Sequence, residues 1–290
     1  MSSKAPDPNH KNVLPLAAAP AADNTKKQTP HHARMQRIRH KFLVLSGKGG
    51  VGKSTVAVNL AAALAMNGAR VGLLDVDLHG PSVPKLLHLE DARPVVSSEG
   101  MMPIERRMGD GTILVMSAAF LLPNRDAAVI WRGPRKYAMI RQFLNDIAWG
   151  DLDALVVDAP PGTGDEPLAV AELVDAADGA VIVTTPQDLA VQDVRRCIHF
   201  CRQLHLPILG IVENMSGFTC PDCGKVVRIF GGDGGRKLAE EAGVPFLGEV
   251  PIDPTVVTDG DRGTPIVDAH PESLAAQHFA RMAATLLPPQ

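Results

Sequence analysis

The run Gly47-Lys48-Gly49-Gly50-Val51-Gly52-Lys53-Ser54-Thr55 constrains this chain more than any other segment, because it fits a G-x4-G-K-S phosphate loop. Such a loop works only between a strand and a helix. Its glycines let consecutive backbone N–H groups turn inward around a phosphate, Lys53 places an ammonium on the terminal phosphates, and the Ser54 hydroxyl suits Mg²⁺. The flanks agree. Lys41 to Ser46 is a short apolar, β-branched run, and Ser54 to Met66 is rich in alanine and leucine at helical spacing. A second lysine, Lys48, has no duty within its own loop. A lysine at the start of the loop points away from the nucleotide held there, so its useful target is the nucleotide of a facing subunit. The plain alternative is a solvated lysine. The loop therefore predicts a nucleotide hydrolase that works as a dimer.

At 290 residues the chain has ample length to bury a core without disulfides, as one large α/β domain or two small ones. A net charge of −3 gives no basic field for nucleic acid or an anionic membrane, so neither is expected as a partner. No apolar stretch is long enough to span a bilayer, and no contiguous apolar signal core follows the N-terminal charges, which predicts a cytoplasmic protein. Four cysteines are too few for a secreted disulfide framework.

Residues 1 to about 36 are rich in Pro, Ala, Asn and Lys and read as a disordered arm, with His31 and His32 as part of a solvated tail. From residue 37 to 290, apolar strand candidates alternate with helical segments. The strands are expected at 41–46, 70–75, 112–117, 153–158, 179–185, 207–213 and 246–250. Helices are expected near 54–67, 134–148, 166–174, 189–205, 234–243 and 272–287. This alternation predicts an α/β fold, a P-loop NTPase with a mostly parallel central sheet covered by helices on both faces. Ligands in such sheets sit at the carboxyl ends of the strands, where each motif below falls.

The second strand closes on Asp75-Val76-Asp77. Two carboxylates one residue apart point in different directions and can take different tasks. Asp77 is assigned to the attacking water and Asp75 to the metal shell, although the two are interchangeable on sequence grounds and either can instead cap the following turn. The fourth strand closes on Asp158, the Walker B position, followed by Pro160-Pro161-Gly162-Thr163-Gly164, a loop whose N–H groups are placed to sense a γ-phosphate. Asn214, after the sixth strand, can offer donor and acceptor to the base edge of a purine, or serve as a turn residue.

Cys220-Pro221-Asp222-Cys223-Gly224 has the C-x2-C spacing at which two thiolates converge on one metal. Two thiolates make half a site, and this chain has no second C-x2-C. A twin subunit related by a two-fold axis would supply the rest. A redox disulfide or inert thiols are the alternatives. Cys197 and Cys201 lie four apart in a helical stretch and are expected in the core. Trp131-Arg132-Gly133-Pro134 and Arg135 precede a helix, with no firm role from sequence.

With GKGGVGKST, LDVDLHGPS, VIWRGP, LVVDAPPGTGD, ENMSGF and CPDCG in this order, the chain resembles the Mrp (ApbC) family of iron–sulfur cluster carriers, deviant-Walker ATPases related to MinD, ParA and the nitrogenase iron protein. The likeness covers roughly residues 38 to 288. It implies a homodimer that holds a bridging 4Fe-4S cluster on Cys220 and Cys223 of each subunit. The cluster would pass to apo iron–sulfur proteins, with a cluster-assembly scaffold as a further partner and ATP and Mg²⁺ regulating the cycle. It also implies that Lys48 acts across the dimer, that Lys53, Ser54 and Thr55 bind nucleotide and Mg²⁺, and that Asp158 is the Walker B acid. Two departures stand out: many bacterial relatives carry a small α/β domain ahead of the ATPase where this chain has a short arm, and Asp233 occupies a position where relatives commonly have glycine. A positioning ATPase of the MinD or ParA kind with a structural zinc is the competing reading.

Overall fold

The computed structural model describes residues 30–78, 80–121, 133–220, 223 and 225–288. The chain enters through a short helix, α1 (Pro30–Met35), then β1 (Ile38–Ser46), α2 (Lys53–Met66) and β2 (Arg70–Asp75). A short helix α3 (Val83–Leu86) leads to a hairpin of β3 (Val95–Ser97) and β4 (Gly100–Met102), then to β5 (Ile104–Met108) and β6 (Gly111–Ser117). Alternation resumes with α4 (Gly133–Asp146), β7 (Leu152–Asp158), α5 (Asp165–Leu173), β8 (Gly179–Thr184), α6 (Asp188–Gln203) and β9 (Ile208–Thr219). The chain closes with β10 (Val226–Val227), α7 (Gly234–Ala242), β11 (Phe246–Ile252), α8 (Pro254–Asp261), α9 (Ile266–Ala269) and α10 (Leu274–Leu286).

Nine described strands form one sheet in the order β10-β9-β8-β1-β7-β2-β6-β5, with β11 also on β9. The central strands are parallel, and their inner stretches are apolar. Leu43, Val44, Leu73, Leu74, Val156, Val157, Val181 and Ile182 are fully buried, as strands covered on both faces must be. β1 lies in the middle, between β7 and β8, while the chain continues to β2 beyond β7. The loop after β1 therefore opens into a crevice at a topological switch point, where ligands collect in sheets of this kind. Helix α2 is buried on all sides between the sheet and α10, which explains its alanines: Ala61, Ala62 and Ala65 let neighbouring backbones come close.

The expected fold class is present, with differences at the edges. β5 runs antiparallel to β6, and β10 runs antiparallel to β9. The β5 segment Ile-Glu-Arg-Arg-Met interleaves charge because an edge strand keeps one face in water. Helix α8 was not anticipated, yet it carries a local signal: the Asp253 carboxylate caps it by accepting from Thr255 N at 2.9 Å, with Pro254 at the first helical position. The expected arm ends earlier than residue 36. Residues 30–35 are helical, Met35 is buried, His31 Nε2 sits 2.8 Å from the Leu173 carbonyl, and His32 pairs with Asp175. The two histidines thus dock on the fold and are no solvated tail, while residues 1–29 lie outside the described residues. β9 was expected to stop at 213, and it continues through the polar run Glu213-Asn214-Met215-Ser216 to Thr219. The reason is that the polar side chains there find partners inside the fold.

Candidate functional site

The phosphate loop leaves β1 at Ser46 and enters α2 at Lys53. Gly47 packs so tightly that an added Cβ would lie 2.4 Å from the Asp193 carbonyl carbon, whereas Gly49 and Gly50 face open space. Gly52 sits in the left-handed region at φ 80°, and a Cβ there would be 2.2 Å from Asn214 Nδ2. The loop is braced from the neighbouring strand, because Gly162 N, just after β7, donates to the Ser46 carbonyl at 2.8 Å. The same bond holds the Pro-Pro-Gly-Thr-Gly loop against the phosphate loop. Lys48 is half-buried, its carbonyl accepts from Ser46 Oγ at 2.9 Å, and among the described residues its ammonium has no carboxylate partner.

Lys53 is buried, with Nζ 2.5 Å from Asp158 Oδ1 and 4.0 Å from Asp77 Oδ2. Asp158 is fully buried, and among the described residues its other oxygen, Oδ2, has no hydrogen-bond partner. Burial pushes its carboxyl above the usual range, against the pull of the Lys53 ammonium and the Ser54 hydroxyl. Its neighbour across the ladder is Asp75. Burial, then the Asp158 charge, pushes Asp75 up to about 8, although the Ser117 hydroxyl and Lys53 oppose this.

These contacts separate the two strand-end aspartates. Asp75 Oδ2 accepts from Ser117 Oγ at 2.9 Å and from Val83 N at 3.3 Å, and Oδ1 accepts from Asp77 N at 3.2 Å. With both oxygens engaged in the interior, Asp75 holds the turn after β2 and does not fit the metal shell expected of it. Asp77 lies at the mouth of the site and accepts from Gly80 N at 3.3 Å. The orphaned Oδ2 of Asp158, beside Ser54, is what fits a hydrated Mg²⁺. Asn214 also makes a contact that was not anticipated. Its side chain is buried and Nδ2 donates to the Val51 carbonyl at 2.9 Å, so one of its N–H groups braces the phosphate loop. Sequence reasoning gave no role to Ser117 or Glu213. The second is buried, takes the Gly235 N–H on Oε2 at 2.5 Å, and has an orphaned Oε1.

The cysteine pair rides on the far end of β9. Phe218 and Thr219 pair with Val227 and Val226, and Cys220 N donates to the Lys225 carbonyl at 3.0 Å, which shapes the tip. Cys220 is half-buried and Cys223 exposed, and no disulfide joins them; Pro221, Asp222 and Gly224 lie outside the described residues. Val226 and Val227, paired with Thr219 and Phe218 just before Cys220, are exposed, as are Ile229 and Phe230 that follow them. Among the described residues no group of three or more His, Cys, Asp or Glu side chains is placed to hold a metal. Cys197 and Cys201 are buried in α6, as expected of core residues. Asp233 takes the left-handed conformation at φ 62° and pairs with Arg228 at 2.9 Å, which accounts for a position where glycine is at ease. Of the Trp131–Arg135 stretch, Trp131 and Arg132 lie outside the described residues, and Gly133 and Pro134 open α4.

Comparison with known proteins bears on the whole of this architecture. The iron–sulfur cluster carrier protein of Methanocaldococcus jannaschii is 52% identical over 233 residues, covering 80% of this chain and 79% of the relative. The cytosolic Fe-S cluster assembly factor NUBP2 homolog of Culex quinquefasciatus is 56% identical over 224 residues, 77% of this chain and 87% of the relative. Among solved structures, a nucleotide-binding protein from Archaeoglobus fulgidus in complex with ADP superposes with a TM-score of 0.71 at 42% identity, covering 82% of this chain and 92% of that one. A family model matches residues 37–287, and the chain thus belongs to the ParA family described as the NUBPL iron-transfer P-loop NTPases.

Proposed function

We propose that the chain is an ATP-hydrolysing carrier that holds a 4Fe-4S cluster between two copies of itself and passes it to apo iron–sulfur proteins. One observation carries the reading: Cys220 and Cys223 are presented at the tip of a hairpin whose Val226 and Val227 are exposed, with no further ligand group among the described residues. Two thiolates complete a four-ligand site only when a second copy brings its own pair. The relatives named as carriers and as cytosolic assembly factors support the cargo and a cytoplasmic setting. The ADP-bound Archaeoglobus protein supports nucleotide as the ligand of the loop. No helix of the described residues is long and apolar enough to cross a membrane.

In this reading ATP enters the crevice over Gly49 and Gly50, and Lys53 turns from Asp158 to the terminal phosphates. Ser54 and the open oxygen of Asp158 would hold hydrated Mg²⁺, which supplies charge neutralisation between the phosphates. Asp77, at the mouth, orients water toward the γ-phosphorus. The water's oxygen forms the new bond as the bond to the ADP oxygen breaks, and phosphate leaves. Lys48, with no carboxylate of its own among the described residues, would place its charge on the nucleotide of the facing copy.

Anaerobic reconstitution with iron and sulfide, followed by transfer to an apo-acceptor, tests this. Wild type should bind and transfer the cluster. Cys220→Ala and Cys223→Ala should bind none, and Lys48→Ala should keep it but turn over ATP slowly. A colourless protein that retains only zinc, or cysteine variants that transfer like wild type, would overturn the carrier reading.

A further inference from the structure

The two halves of the site are joined by one strand. β9 carries Glu213 and Asn214 in its middle and delivers Cys220 at its end. On the nucleotide side the strand is pinned twice over: Glu213 Oε2 accepts the Gly235 N–H at the start of α7, and Asn214 Nδ2 donates to the Val51 carbonyl inside the phosphate loop at 2.9 Å. Asn214 also fills the space over Gly52, where a Cβ would be 2.2 Å from Nδ2. Immediately afterwards the ladder breaks. Asn214 pairs with Val250 and Phe218 with Ile252, so that Pro251 alone faces Met215, Ser216 and Gly217. A bulge of this kind bends a strand and locally releases its pairing. Met215 turns the corner at φ 59°, a left-handed conformation costly for a side chain of its size. Past the bulge, Phe218 and Thr219 belong to the cysteine hairpin.

This geometry assigns Asn214 a task that sequence alone does not suggest. We propose that Asn214 is a positioning residue that transmits phosphate-loop occupancy to the cysteine hairpin: its bond to Val51 O pins β9 to the loop, and the bulge at 215–217 converts movement of the loop into reorientation of Cys220 and Cys223. A ligand moves an equilibrium only through contacts that differ between its two states. Because the phosphate cradle is built of main-chain N–H groups, a bound nucleotide acts directly on the loop backbone, and the Val51 carbonyl is the part of that backbone which β9 holds. The inference rests on the carrier reading for its purpose, but its mechanism needs only the thiols and the nucleotide.

The test is the alkylation rate of each cysteine by iodoacetamide, read by mass spectrometry on the full-length apo-protein with and without the non-hydrolysable analogue AMPPNP and Mg²⁺. In wild type, saturating AMPPNP should change the rate at Cys220 and Cys223 by about fivefold, at the low end of ordinary coupling factors. Cys197 and Cys201, buried in α6, serve as internal controls. In Asn214→Ala the analogue should still saturate while the change falls to within about twofold, which is near loss of coupling. Asn214→Ser, too short to reach Val51 O, gives the same reading if the alanine variant folds poorly. No nucleotide effect in wild type would overturn the proposal, as would a variant that loses affinity yet shows the full change at saturation, since Asn214 would then read the ligand directly. Iron binding measured in parallel separates the two hypotheses: a wild type that binds no iron but keeps the nucleotide-dependent alkylation sinks the carrier reading and leaves the coupling in place.

Discussion

The phosphate-loop end and the cysteine end of this molecule are built on opposite principles. Around the loop, Lys48 apart, the polar side chains are buried and tied within one chain: Lys53 to Asp158, Asp75 to Ser117 and two backbone N–H groups, Asn214 to Val51. At the hairpin Cys223 and the apolar side chains Val226, Val227 and Ile229 face solvent, with Cys220 half-buried beside them. A preorganised electrostatic site holds its charged side chains desolvated and oriented before its ligand arrives, since donors that reorganise during reaction lose their advantage. A site that gives its cargo away must stay reachable. The contrast predicts that substitutions near the loop act on stability and those at the tip act on metal alone.

The largest expected effect is that of Lys53→Met. It strands Asp158 as a buried carboxylate without its cation, a change that typically destabilises by about 3 kcal/mol or more. Urea unfolding of the nucleotide-free protein at neutral pH would show it. The loss should shrink at about pH 5, because burial already raises the Asp158 carboxyl and protonation removes the stranded charge. A variant within about 0.5 kcal/mol of wild type, the range of ordinary surface changes, would break the contrast at its strongest point.

Next is Gly47→Ala against Gly49→Ala. A methyl at 47 would meet the Asp193 backbone at 2.4 Å, whereas one at 49 meets nothing within 4 Å. Overpacking against main chain costs about 1–3 kcal/mol, and the second substitution should stay within about 0.5 kcal/mol. Equal effects on thermal unfolding would mean that the loop is held less firmly against α6 than its geometry indicates.

Glu213→Gln sharpens the comparison through pH. Burial, opposed by the Gly235 N–H, holds the folded Glu213 carboxyl above its ordinary value. The folded chain therefore keeps a proton that the unfolded chain has released, so this group makes stability fall as pH rises past the ordinary carboxylate range. Below about pH 4 both forms are protonated and the variant should match wild type. Toward neutrality the variant should become the more stable of the two, with the gap growing by at most about 1.4 kcal/mol per pH unit, the limit for one proton. A gap that does not vary with pH would show that Glu213 is ionised in the folded state like an exposed carboxylate.

What could be read from sequence divides along the same line. The loop and its strand and helix were legible because they are one contiguous segment whose chemistry is local. The spacing of Cys220 and Cys223 is equally local, and the half-site proposed there rests on it. The roles of Asp75 and Asn214 were not legible, because they depend on partners far off in the chain: Ser117 lies 42 residues from Asp75, and Val51 lies 163 from Asn214. The same cause hid the extension of β9. A polar run reads as a turn until the Gly235 N–H and the Val51 carbonyl are known to satisfy it. Residues 30–36 were misread for a related reason, since proline-rich composition upstream masked a helix that is held by Leu173 and Asp175.

The smallest effect on folding, and the one that bears most directly on the two-ended design, belongs to Cys223→Ser. Cys223 is exposed in the turn at the hairpin tip, so exchanging sulfur for oxygen removes no core packing. Stability of the metal-free protein should stay within about 0.5 kcal/mol of wild type, as for surface substitutions in general. Iron retention after anaerobic reconstitution should nevertheless be lost, because a hydroxyl at neutral pH does not replace a thiolate as a ligand to iron. Nucleotide affinity of the metal-free variant should stay near that of wild type, since among the described residues the phosphate loop contacts Asp158, Asp193 and Asn214, and exchanging sulfur for oxygen at the tip leaves β9 and its bond to Val51 in place. A destabilised variant would mean that the hairpin is folded around its thiols in the metal-free chain. In that case the tip would be a structural element in its own right, and an exposed pair of ligands waiting for a second copy would be the wrong description of it.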